Sequence, residues 1–176
     1  MFSRPRKLET EDELYDVALR ALMRRPHSVQ EMKQKLERRT NNELLVRVVM
    51  ARLKEGGQLD DERYAQQVTR SRAQSRKQGK YRIARELRSR GVPDRVINWA
   101  LEESAGQTDE VAIIRQRIER RLKSFRDLQA GGKIDDKKIA SIYASLLRAG
   151  FPSALIRAEL RRITHESVPE VDSTDE

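Results

Sequence analysis

Nine Lys and Arg side chains fall within one stretch, at Arg70, Arg72, Arg76, Lys77, Lys80, Arg82, Arg85, Arg88 and Arg90, against the single acid Glu86. Solubility alone does not require that density. What such a run can do is electrostatic: cations presented on one face contact phosphates, and each contact releases a counter-ion, so binding is sequence-independent and weakens with salt. Arg115, Arg117, Arg120, Arg121, Lys123 and Arg126, with Glu119 among them, offer the same chemistry further along. A third group, Arg20, Arg24, Arg25, Lys33, Lys35, Arg38 and Arg39, is interspersed with Glu31 and Glu37 and reads as a solvated surface. Aromatic residues are too few for base stacking to dominate. Tyr64 and Trp99 sit at apolar-stripe positions and are expected in the core, which leaves Tyr81, between Lys80 and Arg82, as the stacking candidate.

No constellation for bond-making chemistry accompanies these cations. Asp60-Asp61-Glu62 and Asp135-Asp136 each precede a helix, where a carboxylate caps free amides, and neither has a His or a third facing carboxylate to make a metal site. Gly131-Gly132-Lys133 is followed by Ile134, so it is not a phosphate-binding loop. There is no Cys, and His27 and His165 read as a turn residue and a tail residue. The expectation is a non-enzyme with no catalytic residue, no metal and no cofactor.

The net charge of +9 conceals an asymmetry: Glu166, Glu170, Asp172, Asp175 and Glu176 lie beyond the last Arg. Without those five, 23 acids face 37 bases and the body stands at +14. A body that basic calls for a polyanion or a strongly acidic protein surface as partner. If the acidic tail competes for the basic face, deleting 164–176 tightens DNA binding at low salt. No run approaches the roughly 18 apolar residues of a membrane span, and the first residues lack a signal-peptide stretch. A soluble cytoplasmic protein without membrane contact is expected.

Helices must position these cations, because apolar residues recur at three and four positions through most of the chain. Leu14, Val17, Ala18, Ala21 and Leu22 follow a Thr10/Glu13 capping box; Val29, Met32 and Leu36 follow a second box at Ser28/Glu31; Leu45, Val46, Val49, Met50 and Leu53 end at Gly56-Gly57. This pattern returns. A shift of 51 residues lays Ser28 on Gly79, Met32 on Ile83 and Leu36 on Leu87; a further 59 lays Leu87 on Leu146, and Gly91-Val92-Pro93 on Gly150-Phe151-Pro152. The chain therefore reads as all-α, three tandem three-helix repeats forming an elongated, curved body. The expected boundaries are 10–57, 58–106 and 107–163, with disordered tails at 1–9 and 164–176.

The middle repeat carries Leu59-Asp60-Asp61-Glu62-Arg63-Tyr64-Ala65, then Arg70, Arg72, Gly79, Ile83, Glu86-Leu87 and Gly91-Val92, and the first carries His27-Ser28 with Glu31 and Leu36. In these residues the chain resembles the RecX family of bacterial regulatory proteins that modulate the RecA recombinase, over about residues 14–163. A monomer is expected, and the resemblance implies that it binds the RecA–DNA filament along its groove, suppresses ATPase and strand exchange, and limits filament growth or promotes disassembly. The implied partners are the RecA filament and single- and double-stranded DNA, contacted through Arg70, Arg72, Arg76, Lys77, Lys80, Arg82, Arg85, Arg88, Arg115, Arg117, Arg120 and Arg121. The same charge would equally serve a stand-alone, sequence-independent DNA-binding protein that never meets RecA. Three departures from the family pattern stand out: the long stretch from Arg72 to Gly79, the Gly131-Gly132 insertion, and Thr40-Asn41-Asn42 where a Gly-x-Pro turn belongs.

Overall fold

A computed structural model describes residues 7–106, 109–128 and 136–164. Among them the secondary structure is helical throughout, in three groups of three: α1 (Glu11–Arg24), α2 (Val29–Glu37) and α3 (Glu43–Glu55); α4 (Asp61–Arg70), α5 (Lys80–Ser89) and α6 (Asp94–Ala105); α7 (Glu110–Leu128), α8 (Asp136–Arg148) and α9 (Ser153–Thr164). A π-helical turn, π1 (Ser71–Ser75), continues α4. The helix starts follow from the local residues. The Thr10 hydroxyl accepts the Glu13 N–H at 3.4 Å, the Asn42 side chain accepts the Leu45 N–H at 3.1 Å, and Ser28 and Glu31 form a complete reciprocal box.

The helices group into two compact units, one holding Met1–Arg70 and Ala84–Ser104, the other Ser71–Ile83 and Ala105–Glu176. In the first, α1, α2 and α3 pack around Leu14, Ala18, Met32, Leu36, Val49 and Leu53, all fully buried. In the second, α7, α8 and α9 close over Ile114, Ile118, Ile139, Leu146, Phe151 and Ile156. Removing these side chains from water is the main stabilising term. The division passes through the middle repeat, because each unit is built around a seam between successive repeats.

The two seams are the same construction. In the first, the turn after α5 lies against the start of α2: the Ser28 hydroxyl donates to the Arg90 carbonyl at 2.5 Å, and Gly91 backs onto Gln30 so closely that an added Cβ would lie 2.5 Å from the Gln30 Cβ. In the second, the turn after α8 lies against the start of α5, with the Gly79 N–H donating to the Ala149 carbonyl at 2.9 Å and the Tyr81 N–H to the Gly150 carbonyl at 3.0 Å. Ser28 corresponds to Gly79, and Gly91 to Gly150, in the register read from the sequence. A carboxylate completes each seam. The Val29 N–H donates to Asp61 at 2.9 Å, and the equivalent Lys80 N–H donates to Glu110 at 3.1 Å, so the acid opening each new repeat caps a helix of the repeat before it. The turn of the first repeat, after α2, is met differently. It needs no glycine, and its carbonyls at Arg38 and Arg39 instead receive Lys7 Nζ at 3.3 Å and the Leu8 N–H at 2.8 Å.

The adjacent aspartates of the middle repeat therefore do different work. Asp60 caps α4 itself, accepting the Glu62 and Arg63 N–H groups at 2.8 and 3.2 Å, while Asp61 reaches back to α2. Replacing Asp61 by Ala should cost about 1 to 2 kcal/mol, as loss of a cap does. Asp61→Asn keeps an acceptor for Val29 and should retain most of that stability in urea unfolding; equal losses for the two variants would contradict this.

Titration at the first seam sets its response to acid. Burial alone would raise the Glu31 carboxyl, but hydrogen bonds from Arg25 and the Ser28 N–H, with the charges of Arg25 and Arg90, outweigh it and hold the group below its ordinary value of 4.5. Burial, with Arg25 and Lys35 nearby, holds His27 below 6.5. As pH falls below 6.5 the unfolded chain binds a proton at His27 that the fold resists, so stability declines. Below 4.5 the contribution of Glu31 is lost in turn. Asp61, raised by its burial, works in the opposite direction. Urea midpoints measured against pH should begin to fall below pH 6.5, and His27→Gln should remove that first portion of the decline.

Candidate nucleic-acid interface

The long stretch from Arg72 to Gly79 is explained by π1 and what ends it. After the π turn Lys77 takes a left-handed conformation, φ 52°, and the Gln78 N–H returns to the Arg72 carbonyl at 3.0 Å, a helix-ending arrangement that normally uses glycine. A π turn inside a helix is rare and is often found at functional sites. Lys77→Gly should stabilise the fold by roughly 0.5 to 1 kcal/mol, since it relieves the Cβ clash of that conformation. If Lys77 contacts a polyanion, the same variant should bind DNA more weakly at low salt; a thermal melt and a binding titration on one sample would test both.

The cations of the middle repeat are mostly presented to solvent. Arg70, Arg76, Lys77, Lys80, Arg82 and Arg85 are exposed, and Arg72 is half-buried on π1. On α5, Ile83, Ala84 and Leu87 are buried, so the same helix holds its core contacts and turns Arg82 and Arg85 outward. Lys80 Nζ lies 5.5 Å from the centre of the Tyr81 ring, and Tyr81 is 56% exposed. Two arginines are less free than the sequence implied. Arg88 pairs with Asp94 at 2.6 Å, and Arg90 belongs to the first seam, bridging Glu31 and Glu86 at 3.2 and 3.0 Å.

On α7 the cations divide by what they face. Arg115 makes a two-pronged contact with Glu159, at 2.9 and 3.3 Å, and that carboxylate is buried and also receives Arg162 at 3.2 Å. The Arg115 hydrogen bond, with that of Arg162, holds the Glu159 carboxyl below its ordinary range against the effect of burial. Arg117 donates to the carbonyls of Lys77 and Arg76 at 2.8 and 3.5 Å, filling acceptors left over where the π turn ends. Its guanidinium lies 5.5 Å from the Phe151 ring, and burial with the charges of Arg120 and Arg82 pushes its pKa down. Arg120, Arg121 and Lys123 are exposed. The two basic runs, read separately in the sequence, thus meet in the second unit: Arg76, Lys77 and Arg82 come together with Arg117 and Arg120. Nothing in residue spacing signals this, because the link is a side chain donating to carbonyls 40 residues away.

Trp99 overturns an expectation. It is 41% exposed, because the buried face of α6 is made by Val96, Ile97 and Ala100 and position 99 lies beside that stripe. Tyr64 is in the core as expected. Among the described residues no three acidic, His or Cys side chains form a group that could hold a metal ion, and no helix is long and apolar enough to cross a membrane. The Arg126 side chain, Asp135, Gly131-Gly132 and the acidic residues from His165 onward lie outside the described residues.

Comparison with known proteins places these features in a family. Two family models match, "RecX, first three-helix domain" over residues 15–53 and "RecX, second three-helix domain" over residues 60–101. A regulatory protein RecX from Halorhodospira halophila is 41% identical over 143 residues, covering 81% of this chain and 83% of the relative. One from Trichlorobacter lovleyi is 34% identical over 143 residues, 81% of this chain and 90% of the relative. In fold, the chain is similar to the crystal structure of RecX from Lactobacillus salivarius, with a TM-score of 0.76 at 19% identity, covering 89% of this chain and 97% of that one. A second crystal structure, of a regulatory protein RecX, gives a TM-score of 0.70 at 17% identity over 88% of this chain and 71% of that one.

Proposed function

The chain belongs to the RecX family of regulatory proteins, and from that premise we propose that it regulates RecA by binding RecA–DNA filaments as a monomer and inhibiting ATPase, strand exchange and filament growth. Family membership is the observation that carries the partner. The exposed cations Arg76, Lys77, Arg82, Arg85, Arg120 and Arg121 support the mode of contact, since a filament on DNA presents phosphate and a surface of this sign seeks it. Arg70, Arg72, Lys80 and Arg88 are further candidate contacts, with Arg88 already shared with Asp94. In this reading Arg115 and Arg117 act mainly by holding the surface in place, through Glu159 and through the end of π1. No step of bond-making is assigned to the protein.

The test is RecA's DNA-dependent ATPase with this protein added at less than one copy per RecA. Inhibition at those ratios is the expected result; an unchanged rate at every ratio would sink the proposal. A stand-alone DNA-binding role, supported by the same basic face, is separated by co-sedimentation. Binding to bare DNA without preference for the RecA-coated form would favour it.

A further inference from the structure

Between α7 and α8 the second unit holds a half-open cleft of about 230 Å³, lined by Arg117, Arg120 and Arg121 from one helix and Ile142, Ser145 and Leu146 from the other. Positions three and four apart share a helix face, and like charges there repel unless something neutralises them. Two arginines of α7 have partners within the fold: Arg115 pairs with the buried Glu159, and Arg117 donates to two backbone carbonyls. Arg120 and Arg121 have neither. No acid lines the cleft, and among the described residues no carboxylate pairs with either guanidinium. What sets Arg120 and Arg121 apart from the exposed Lys123 is that they line this cleft together with Arg117, so three guanidinium groups converge there with no acid among them, which suits an anion from outside.

We infer that this cleft is a subsite for the phosphodiester backbone of a nucleic-acid strand. Arg120 and Arg121 supply planar, forked donors that match phosphate oxygens, and the Ser145 hydroxyl supplies a third. Ile142 and Leu146 belong to the core and are almost fully buried, so they close the bottom of the cleft rather than contact the strand. The open side suits a polymer passing across it better than an enclosed small molecule. This inference rests on the reading of the chain as a protein that contacts nucleic acid. It deepens that reading by giving Arg120 and Arg121 a defined cleft on α7 and α8 and one class of occupant. A free nucleotide carries the same phosphate chemistry, so the test must separate the two sources.

The test is fluorescence anisotropy of a labelled mixed-sequence oligonucleotide with the full chain over a salt series. Arg120→Gln with Arg121→Gln should weaken binding about 10-fold at low salt and reduce the slope of log affinity against log salt by about 1 to 2. Both side chains are exposed, so the fold should be kept, with an unchanged thermal melt as the control. Lysine at both positions should restore the slope but only part of the affinity, because a point charge replaces a fork. Unlabelled oligonucleotide should displace the label, while ATP or inorganic phosphate at matched phosphate concentration should not. If ATP displaces it equally well, the cleft is a nucleotide site and the inference is overturned. If the Gln variants bind as the natural chain does while Arg85→Glu is weakened, the cleft plays no part and the α5 contact stands. If the natural chain binds no oligonucleotide at any salt, the cleft and the DNA-contacting reading fall together, leaving the ATPase result to judge action on RecA.

Discussion

Gly79→Ala should lower the stability of the second unit by about 3 kcal/mol or more, although it adds a single methyl group. A Cβ on Gly79 would overlap the Gly150 carbonyl and lie 2.5 Å from the Phe151 nitrogen. These neighbours are backbone and cannot swing aside. Relief requires the seam to open, and opening removes the three hydrogen bonds its backbone N–H groups donate: Gly79 to Ala149, Tyr81 to Gly150, and Lys80 to Glu110. At about 1 kcal/mol net for each, that sum sets the expected scale. Gly150→Ala should cost at least as much, because its Cβ would overlap the Arg82 backbone and its φ of 89° is also unfavourable for any residue with a Cβ. Gly106→Ala, with open space around it, is the control and should stay within about 0.5 kcal/mol. Units of this kind can open separately, so the decisive readout is amide hydrogen exchange at Gly79 and Tyr81, alongside urea unfolding. Native-like protection at both amides in Gly79→Ala would show that the seam yields cheaply.

The second large effect concerns binding. Arg82→Glu with Arg85→Glu reverses two outward cations on α5 and should weaken both DNA and RecA-filament binding by about 10- to 100-fold at low salt, with the salt slope falling by about 2. Arg85 is the cleaner probe, since it is exposed and without an ion pair among the described residues, whereas Arg82 also donates to the Arg148 carbonyl at 3.3 Å. The single Arg85→Glu variant therefore belongs beside the double one. Loss of filament binding with DNA binding intact would assign α5 to the protein partner. Undiminished binding to both would move the interface to α7.

The sequence showed the repeat and its register because that information is local. Capping residues, apolar spacing and the recurrence of Gly-x-Pro all lie within a few positions of one another. It also paired Ser28 with Gly79, but it could not say why a serine in one repeat becomes a glycine in the next. The reason is a partner far along the chain: Ser28 donates its hydroxyl to a turn 62 residues on, while Gly79 lets a turn come in backbone to backbone. Asp61 was legible as a cap, though not as a cap for α2, because the sequence around Asp61 contains nothing of Val29. The cations were legible as a class and not one by one. Glu159 selects Arg115 across 44 residues, and the carbonyls of Arg76 and Lys77 select Arg117, so the arginines left for a partner emerge only after folding has claimed the others. Trp99 failed for a simpler reason: one step around the helix from the buried stripe looks the same in a linear pattern as one step inside it.

The interleaved composition of the two units has a consequence during synthesis, which proceeds from the N-terminus. Every partner of the first seam has been made once Gly91 has left the ribosome, so that seam can close early. Residues Ser71–Ile83 cannot finish then, since Glu110, Arg117, Ala149 and Gly150 have yet to emerge. Throughout that interval the nascent chain holds Arg72, Arg76, Lys77 and Arg82 on an unbuttressed segment, next to ribosomal RNA. The most basic part of the molecule is the last to acquire its shape.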